Sequence, residues 1–259
     1  MTDLADAARI ATDTARLAGL LLRQRPTRVE HKGAIDLVTE IDLASEACIR
    51  EELERRLPGV PVQGEEGGGV TTGLRWVVDP LDGTTNFVHG YPFYAVSIAL
   101  VDGDRPLAGC VYDPVRDRAH HAARGHGSWI DDVRVHVSET TSAGASLGVT
   151  GFPYDRREHA AGYLAYVERV LRGTHGMRRS GSAAMDLALL ACGASDFFWE
   201  FGLKPWDTSA GVVLVEEAGG RVTRLHGGQW TPSAPEILAS NDTVHDEVLA
   251  LLRGGLAGC

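Results

Sequence analysis

An apolar run, Trp76-Val77-Val78, stops at Asp79-Pro80-Leu81-Asp82-Gly83-Thr84-Thr85-Asn86, and this stretch limits what the chain can fold into. A strand delivers two carboxylates three residues apart at its end. The proline between them prevents the strand from simply continuing, and the glycine allows a sharp turn. Carboxylates this close repel and raise each other's pKa unless a cation lies between them. Hard divalent cations such as magnesium take oxygen ligands of this kind. A turn in which Asp79 and Asp82 only cap backbone amides uses the same residue types. The following Gly83-Thr84-Thr85 adds N–H groups and hydroxyls at a helix start, where an anionic phosphate binds well. Metal ligands and a phosphate cradle in one turn make the more specific reading.

Three other acidic segments accompany it. Gly64-Glu65-Glu66-Gly67 is a glycine-rich acidic loop, a pattern that also suits plain solvent exposure. In Asp36-Leu37-Val38-Thr39-Glu40-Ile41-Asp42, either Thr39 or Asp42 can cap the helix that follows. In Lys204-Pro205-Trp206-Asp207-Thr208, an acid opens an apolar helix, a placement compatible with both capping and metal binding.

The rest of the chain reads as mixed α and β. Leu4, Ala8, Ala11, Ala15, Ala18 and Leu22 mark one face of an alanine-rich helix that ends before Pro26. A second helix is expected over 42–57, stopped by Pro58-Gly59. Strands are expected at 76–78, 94–101, 107–112, 128–130, 146–150 and 196–201, with one more beyond Gly219-Gly220. Helices are expected at 157–171, 183–191, 208–217 and 243–252. This order predicts α+β layers rather than a simple doubly wound sheet.

Composition removes several function classes. The 259 residues suffice to bury roughly 70–75% of the unfolded surface, so one large domain or two intimately packed ones are expected. A net charge of −10 repels phosphate backbones and argues against direct nucleic-acid binding. It also sets a puzzle for any enzyme of anionic substrates, which bound divalent cations would resolve by inverting the local field. No apolar run approaches the ~20 residues that span a bilayer. The four scattered cysteines read as reduced thiols, and the chain as cytoplasmic.

Taken in order from Asp36 to Gly220, the four acidic segments resemble the inositol monophosphatase family of magnesium-dependent, lithium-sensitive phosphatases. The strings W-V-V-D-P-L-D-G-T-T-N-F and W-D-T-S-A-G carry the likeness. The resemblance implies a layered αβαβα sandwich, with residues 1–142 carrying most metal ligands and 143–259 the substrate residues and the last ligand. It implies two to three magnesium ions: Glu65, Asp79 and the Leu81 carbonyl for one, Asp79, Asp82 and Asp207 for another, and Glu65 for a weaker third. Thr84 resembles the threonine that orients the attacking water, with Asp42 as its partner and Glu65 as a further proton acceptor. Substrate contacts are implied for Asp82, Gly83, Thr84, Gly181, Ser182, Ala183, Glu200 and Asp207, and Lys32 resembles a lysine that closes over the third metal. Glu200 favours inositol monophosphate, since a carboxylate accepts from ring hydroxyls and repels a second phosphate. Histidinol-phosphate phosphatase and fructose-1,6-bisphosphatase share the metal chemistry, and Arg178-Arg179 would suit a distal phosphate if they face the site. A regulatory binding protein is the alternative of another class, and a homodimer is expected.

Overall fold

A computed structural model describes residues 3–31 and 37–254; Lys32, Asp36 and Cys259 lie outside them. Helix α1 (Leu4–Gly19) is capped by Asp3, and a 3-10 turn (Leu21–Arg23) follows it, so the helix ends sooner than its apolar spacing suggests. Its face of Ala7, Ala8, Ala11, Ala15 and Ala18 is fully buried. Small side chains let it lie close to its neighbours. At Gly19 an added Cβ would come within 2.3 Å of the Tyr112 ring. Strands β1 (Val29–His31) and β2 (Leu37–Thr39) pair antiparallel, and β2 leads into helix α2 (Glu40–Arg56), whose N-cap is Thr39. Asp42 is therefore the third helical residue, not the cap.

The main sheet has seven strands in chain order: β3 (Val62–Gly64), β4 (Leu74–Asp82), β5 (Ala95–Asp102), β6 (Arg105–Asp113), β7 (Arg118–Ala123), β8 (Gly127–Ile130) and β9 (Val133–Val135). All neighbours are antiparallel except β3 and β4. The short helix α3 (Thr84–His89) follows β4 directly. Strand β7 went unread in the sequence, because Arg118-Ala-His-His-Ala-Ala lacks the β-branched alternation that marks a strand.

The second sheet has five strands in the order β11 (Gly176–Arg178), β10 (Leu147–Thr150), β12 (Phe197–Phe201), β14 (Glu236–Ser240) and β13 (Arg221–Thr223). Helices α5 (Ala183–Ala191) and α6 (Pro205–Glu217) fill the space between the sheets. Helices α4 (Arg156–Gly173) and α7 (His245–Arg253) cover the outer face of the second sheet, and α1 and α2 the outer face of the first.

Alternation along the strands assigns the layers, because successive side chains point to opposite faces. Trp76 and Val78 join the α1–α2 core, whereas Val77 between them joins the α5–α6 core. Phe198 likewise enters the α5–α6 core, and its neighbours Phe197 and Trp199 enter the core under α7. The result is the expected αβαβα sandwich. Cys48, Cys110 and Cys192 are free thiols, and among the described residues no helix is long and apolar enough to cross a membrane.

Candidate active site

The site forms where β4 breaks its register. Strand pairing matches Asp79 to Ser97 and Asp82 to Ala95, so three steps along β4 answer two along β5. In a regular strand, residues i and i+3 face opposite ways. The extra residue of a bulge brings both acids to one side, and the missing N–H of Pro80 falls where the ladder is already interrupted. The strand thus continues through Pro80 rather than stopping there, which corrects the sequence reading. Gly83, at φ +94°, then turns the chain into α3. An added Cβ there would be 3.1 Å from the Phe93 carbonyl and 3.3 Å from that of Gly181.

A cavity of about 370 Å³ opens over this turn. Glu65, Asp79, Leu81, Asp82, Gly83 and Thr84 line it from the first half of the chain, and Gly181, Ser182, Ala183, Glu200 and Asp207 from the second. Among the described residues expected to bind metal or substrate or to act in catalysis, Asp42 stands outside this wall, behind Thr84. The Thr84 Oγ1 lies 3.1 Å from both Asp42 Oδ1 and the Leu81 carbonyl oxygen. The other Asp42 oxygen accepts the Thr39 N–H at 2.8 Å and its hydroxyl at 2.5 Å.

Each of the central acids has one oxygen engaged. Asp79 Oδ1 accepts the Leu81 N–H (3.0 Å), and Asp207 Oδ2 accepts the Lys204 N–H (2.7 Å). Asp207 is the third residue of α6, with Lys204 in the N-cap position, so it is not itself the cap. Asp82 Oδ2 accepts the Ser182 hydroxyl (2.6 Å) and the Ala184 N–H (2.7 Å), tying the strand end to the start of α5. Asn86 adds a second tie, donating to the carbonyls of Phe93 (2.7 Å) and Ser180 (2.9 Å).

The electrostatics are those of acids crowded out of water. Burial, then the charges of Glu65, Asp82 and Asp207, holds the Asp79 carboxyl well above the usual range. Burial pushes Asp82 up to about 6, against its bonds from Ser182 and Ala184. Asp207 is raised by burial and by Asp82. Glu200, 8% exposed on β12, is raised by burial and by Asp186, Asp207 and Asp82, which removes the reading of a surface acid. Its carboxylate presses on Gly151, where a Cβ would lie 2.1 Å from Oε1.

Among the described residues, no three His, Cys, Asp or Glu side chains converge into a ready-made metal cage. The donor set nevertheless fits a hard cation. None of the ion pairs formed among the described residues includes Asp79, Asp82, Glu200 or Asp207. Acids withdrawn from water and not in close ion pairs are stabilised by protons or by divalent ions.

A family model described as the inositol monophosphatase family matches residues 3–255. The chain belongs to the inositol monophosphatase family. It is 41% identical over 254 residues to the inositol-1-monophosphatase of Synechocystis, covering 95% of this chain and 88% of that protein. It is 39% identical to the Nus factor SuhB of Escherichia coli, over 96% of each. A chloroplastic phosphatase of Arabidopsis thaliana, IMPL1, is 38% identical over 87% of this chain, which spans 63% of that protein's length. Among solved structures, the extragenic suppressor protein suhB from Bartonella henselae superposes with a TM-score of 0.91 at 35% identity, covering 97% of this chain and all of that one.

Several cavity residues of this inositol monophosphatase family member escaped the sequence reading. Arg156 is one of them; Arg179, weighed above with Arg178 for a distal phosphate, does line the cavity, over the Phe152 ring at 6.0 Å. Arg178, its sequence neighbour, is not in the wall and bonds the Met177 carbonyl. Arg156 opens α4 amid a charged run, where nothing in the pattern separates a cavity arginine from a solvated one. Ser45 and Glu46 on α2 were missed for a different reason: they act on backbone groups behind the cavity.

Proposed function

We propose that this protein hydrolyses a small phosphate monoester with magnesium, and that the substrate is inositol monophosphate. The observation that carries the reading is one cavity lined by Glu65, Asp79, Asp82 and Asp207 together with the buried Glu200. In this reading Glu65, Asp79 and the Leu81 carbonyl hold one magnesium ion, Asp79, Asp82 and Asp207 a second, and Glu65 a weaker third. Bound magnesium supplies positive charge to the transferring phosphoryl group and lowers the pKa of the attacking water.

The protein's own groups do the rest. Thr84 Oγ1 directs its proton to Asp42 or the Leu81 carbonyl, which leaves its lone pairs to accept from a water and orient it. Either Glu65 or the Thr84–Asp42 pair receives that water's proton. The N–H groups of Gly83 and Thr84 hold phosphate oxygens. The Asp82–Ser182 bond fixes the segment 181–183 beside them. Glu200 meets the hydroxyls of the polyol.

A second reading has support from Arg156 and Arg179, which suit a substrate with a second anionic group, such as fructose 1,6-bisphosphate. Histidinol phosphate, whose cation would pair with Glu200, is a further candidate. The deciding assay measures phosphate release from these three esters with and without magnesium. Preference for inositol 1-phosphate is expected; preference for another ester would keep the mechanism and overturn the substrate. The likeness to a protein named Nus factor SuhB supports a regulatory binding role beside the enzymatic one. A biological phenotype untouched by Asp79→Asn would favour that role.

A further inference from the structure

Helix α2 turns a polar stripe toward β4. Ser45 and Glu46 follow Asp42 by one turn, and the three are 1% (Asp42), 0% (Ser45) and 3% (Glu46) exposed, while Ile41, Ile49 and Leu53 supply the helix's apolar contacts. Each polar residue holds a different segment of the site. Asp42 meets Thr84. Ser45 Oγ donates to the Pro80 carbonyl at 3.0 Å, inside the bulge between Asp79 and Asp82.

Glu46 holds the loop of Glu65. Its carboxylate accepts the N–H groups of Glu66 and Gly67, each at 2.8 Å, and the Arg50 Nε at 2.8 Å. Arg50 in turn donates to the carbonyls of Val62 (3.1 Å) and Gly68 (2.7 Å) on either side of the same loop. On the other flank, the Glu65 N–H donates to the carbonyl of Val78, the residue before Asp79. The loop wraps the carboxylate closely, since a Cβ at Gly64 or Gly67 would fall 2.5 or 2.6 Å from its atoms. Glycine at those two positions is therefore a consequence of Glu46. Hydrogen bonds to an ionised acceptor are roughly twice as strong as neutral ones, and here two come from consecutive amides of the turn and one from Arg50.

We propose that Glu46, backed by Arg50, is a positioning residue that sets the magnesium affinity of the site by fixing the Glu65 loop against Asp79. The proposal rests on the reading of Glu65 as a magnesium ligand. Partners that orient metal ligands typically change affinity by about 10–100-fold when removed. In Glu46→Gln, one amide nitrogen would face a backbone N–H, donor against donor, and the loop loses its anchor without losing volume.

The test is calorimetric titration of the full chain with magnesium chloride, combined with amide hydrogen exchange at Glu66 and Gly67. Glu46→Gln is expected to bind magnesium about tenfold more weakly, with faster exchange at both amides. Phosphate release at saturating magnesium should stay within about twofold of wild type. Arg50→Gln, at a part-exposed position, should move both readouts in the same direction and carries the test if Glu46→Gln does not fold. Glu52→Gln, which removes a partner of Arg55 and Arg56 on the same helix, should move neither. Unchanged magnesium affinity in Glu46→Gln and Arg50→Gln, or lost turnover that magnesium does not restore, would overturn the proposal alone. Absence of magnesium binding to wild type would overturn the metal reading and the proposal with it.

Discussion

Asp79 is where the proposed chemistry would work against stability. The residue is 2% exposed, and burial, then the charges of Glu65, Asp82 and Asp207, opposes its ionisation. Replacing it by Asn keeps the shape and the bond from the Leu81 N–H while removing the charge. In chelator, Asp79→Asn should melt about 2–4 °C above wild type, the shift that roughly 1 kcal/mol produces in a domain this size. In magnesium, wild type should gain stability and the variant should not; differential scanning calorimetry in both buffers checks this. At this scale the sequence was most legible where a whole function lies in one string, as in residues 79–86. Glu65 and Glu200 gained their proposed roles only through family likeness, because a single acid in a loop or strand has no pattern of its own. Glu46 and Ser45 had no signal, since polar residues at helical spacing read as a solvated face until the fold shows what covers them.

Elements were legible to the extent that their periodicity was clean. The helices α1, α2, α5 and α6 and the strands β4, β5, β6 and β12 stand where the pattern puts them, within a few residues. The three-residue strands β1, β3 and β11 were not, because they are too short to alternate and exist through their partners. Helix α7 shows how such elements are fastened. His245, at its start and fully buried, bonds the Ser240 hydroxyl of β14 through Nδ1 (2.7 Å) and the Thr223 hydroxyl of β13 through Nε2 (2.9 Å). Burial holds its pKa down to about 4, and the same cause holds His120 on β7 at about 4. Both bind a proton less readily folded than unfolded, so their contribution is complete above about 6.5 and is lost as pH falls toward 4. Urea midpoints should therefore drop across that window. In His245→Asn the drop should be shallower, with a lower midpoint at pH 7; an unchanged slope would remove His245 from the account.

The whole molecule joins two sheets through α5 and α6, and the division of the chain at 142/143 stays a proposal. The cavity draws its walls from both halves, tied by Asp82–Ser182 and Asn86–Ser180, which is why no single stretch of sequence displays it. On the outer face, α4 buries only Val170, and Tyr154, Leu164 and Leu171 beside or along it are exposed. We predict a homodimer, seen in sedimentation equilibrium as about twice the 27.7 kDa chain mass; the single-chain mass would contradict it. The central claim is that the crowded acids serve magnesium-dependent phosphate release. Its most direct test is release from inositol 1-phosphate across a magnesium titration, on wild type and Asp79→Asn. Wild-type turnover that rises from none with magnesium, and a loss of at least about 100-fold in the variant, is the predicted result. Turnover that ignores magnesium, or survives Asp79→Asn, would contradict it.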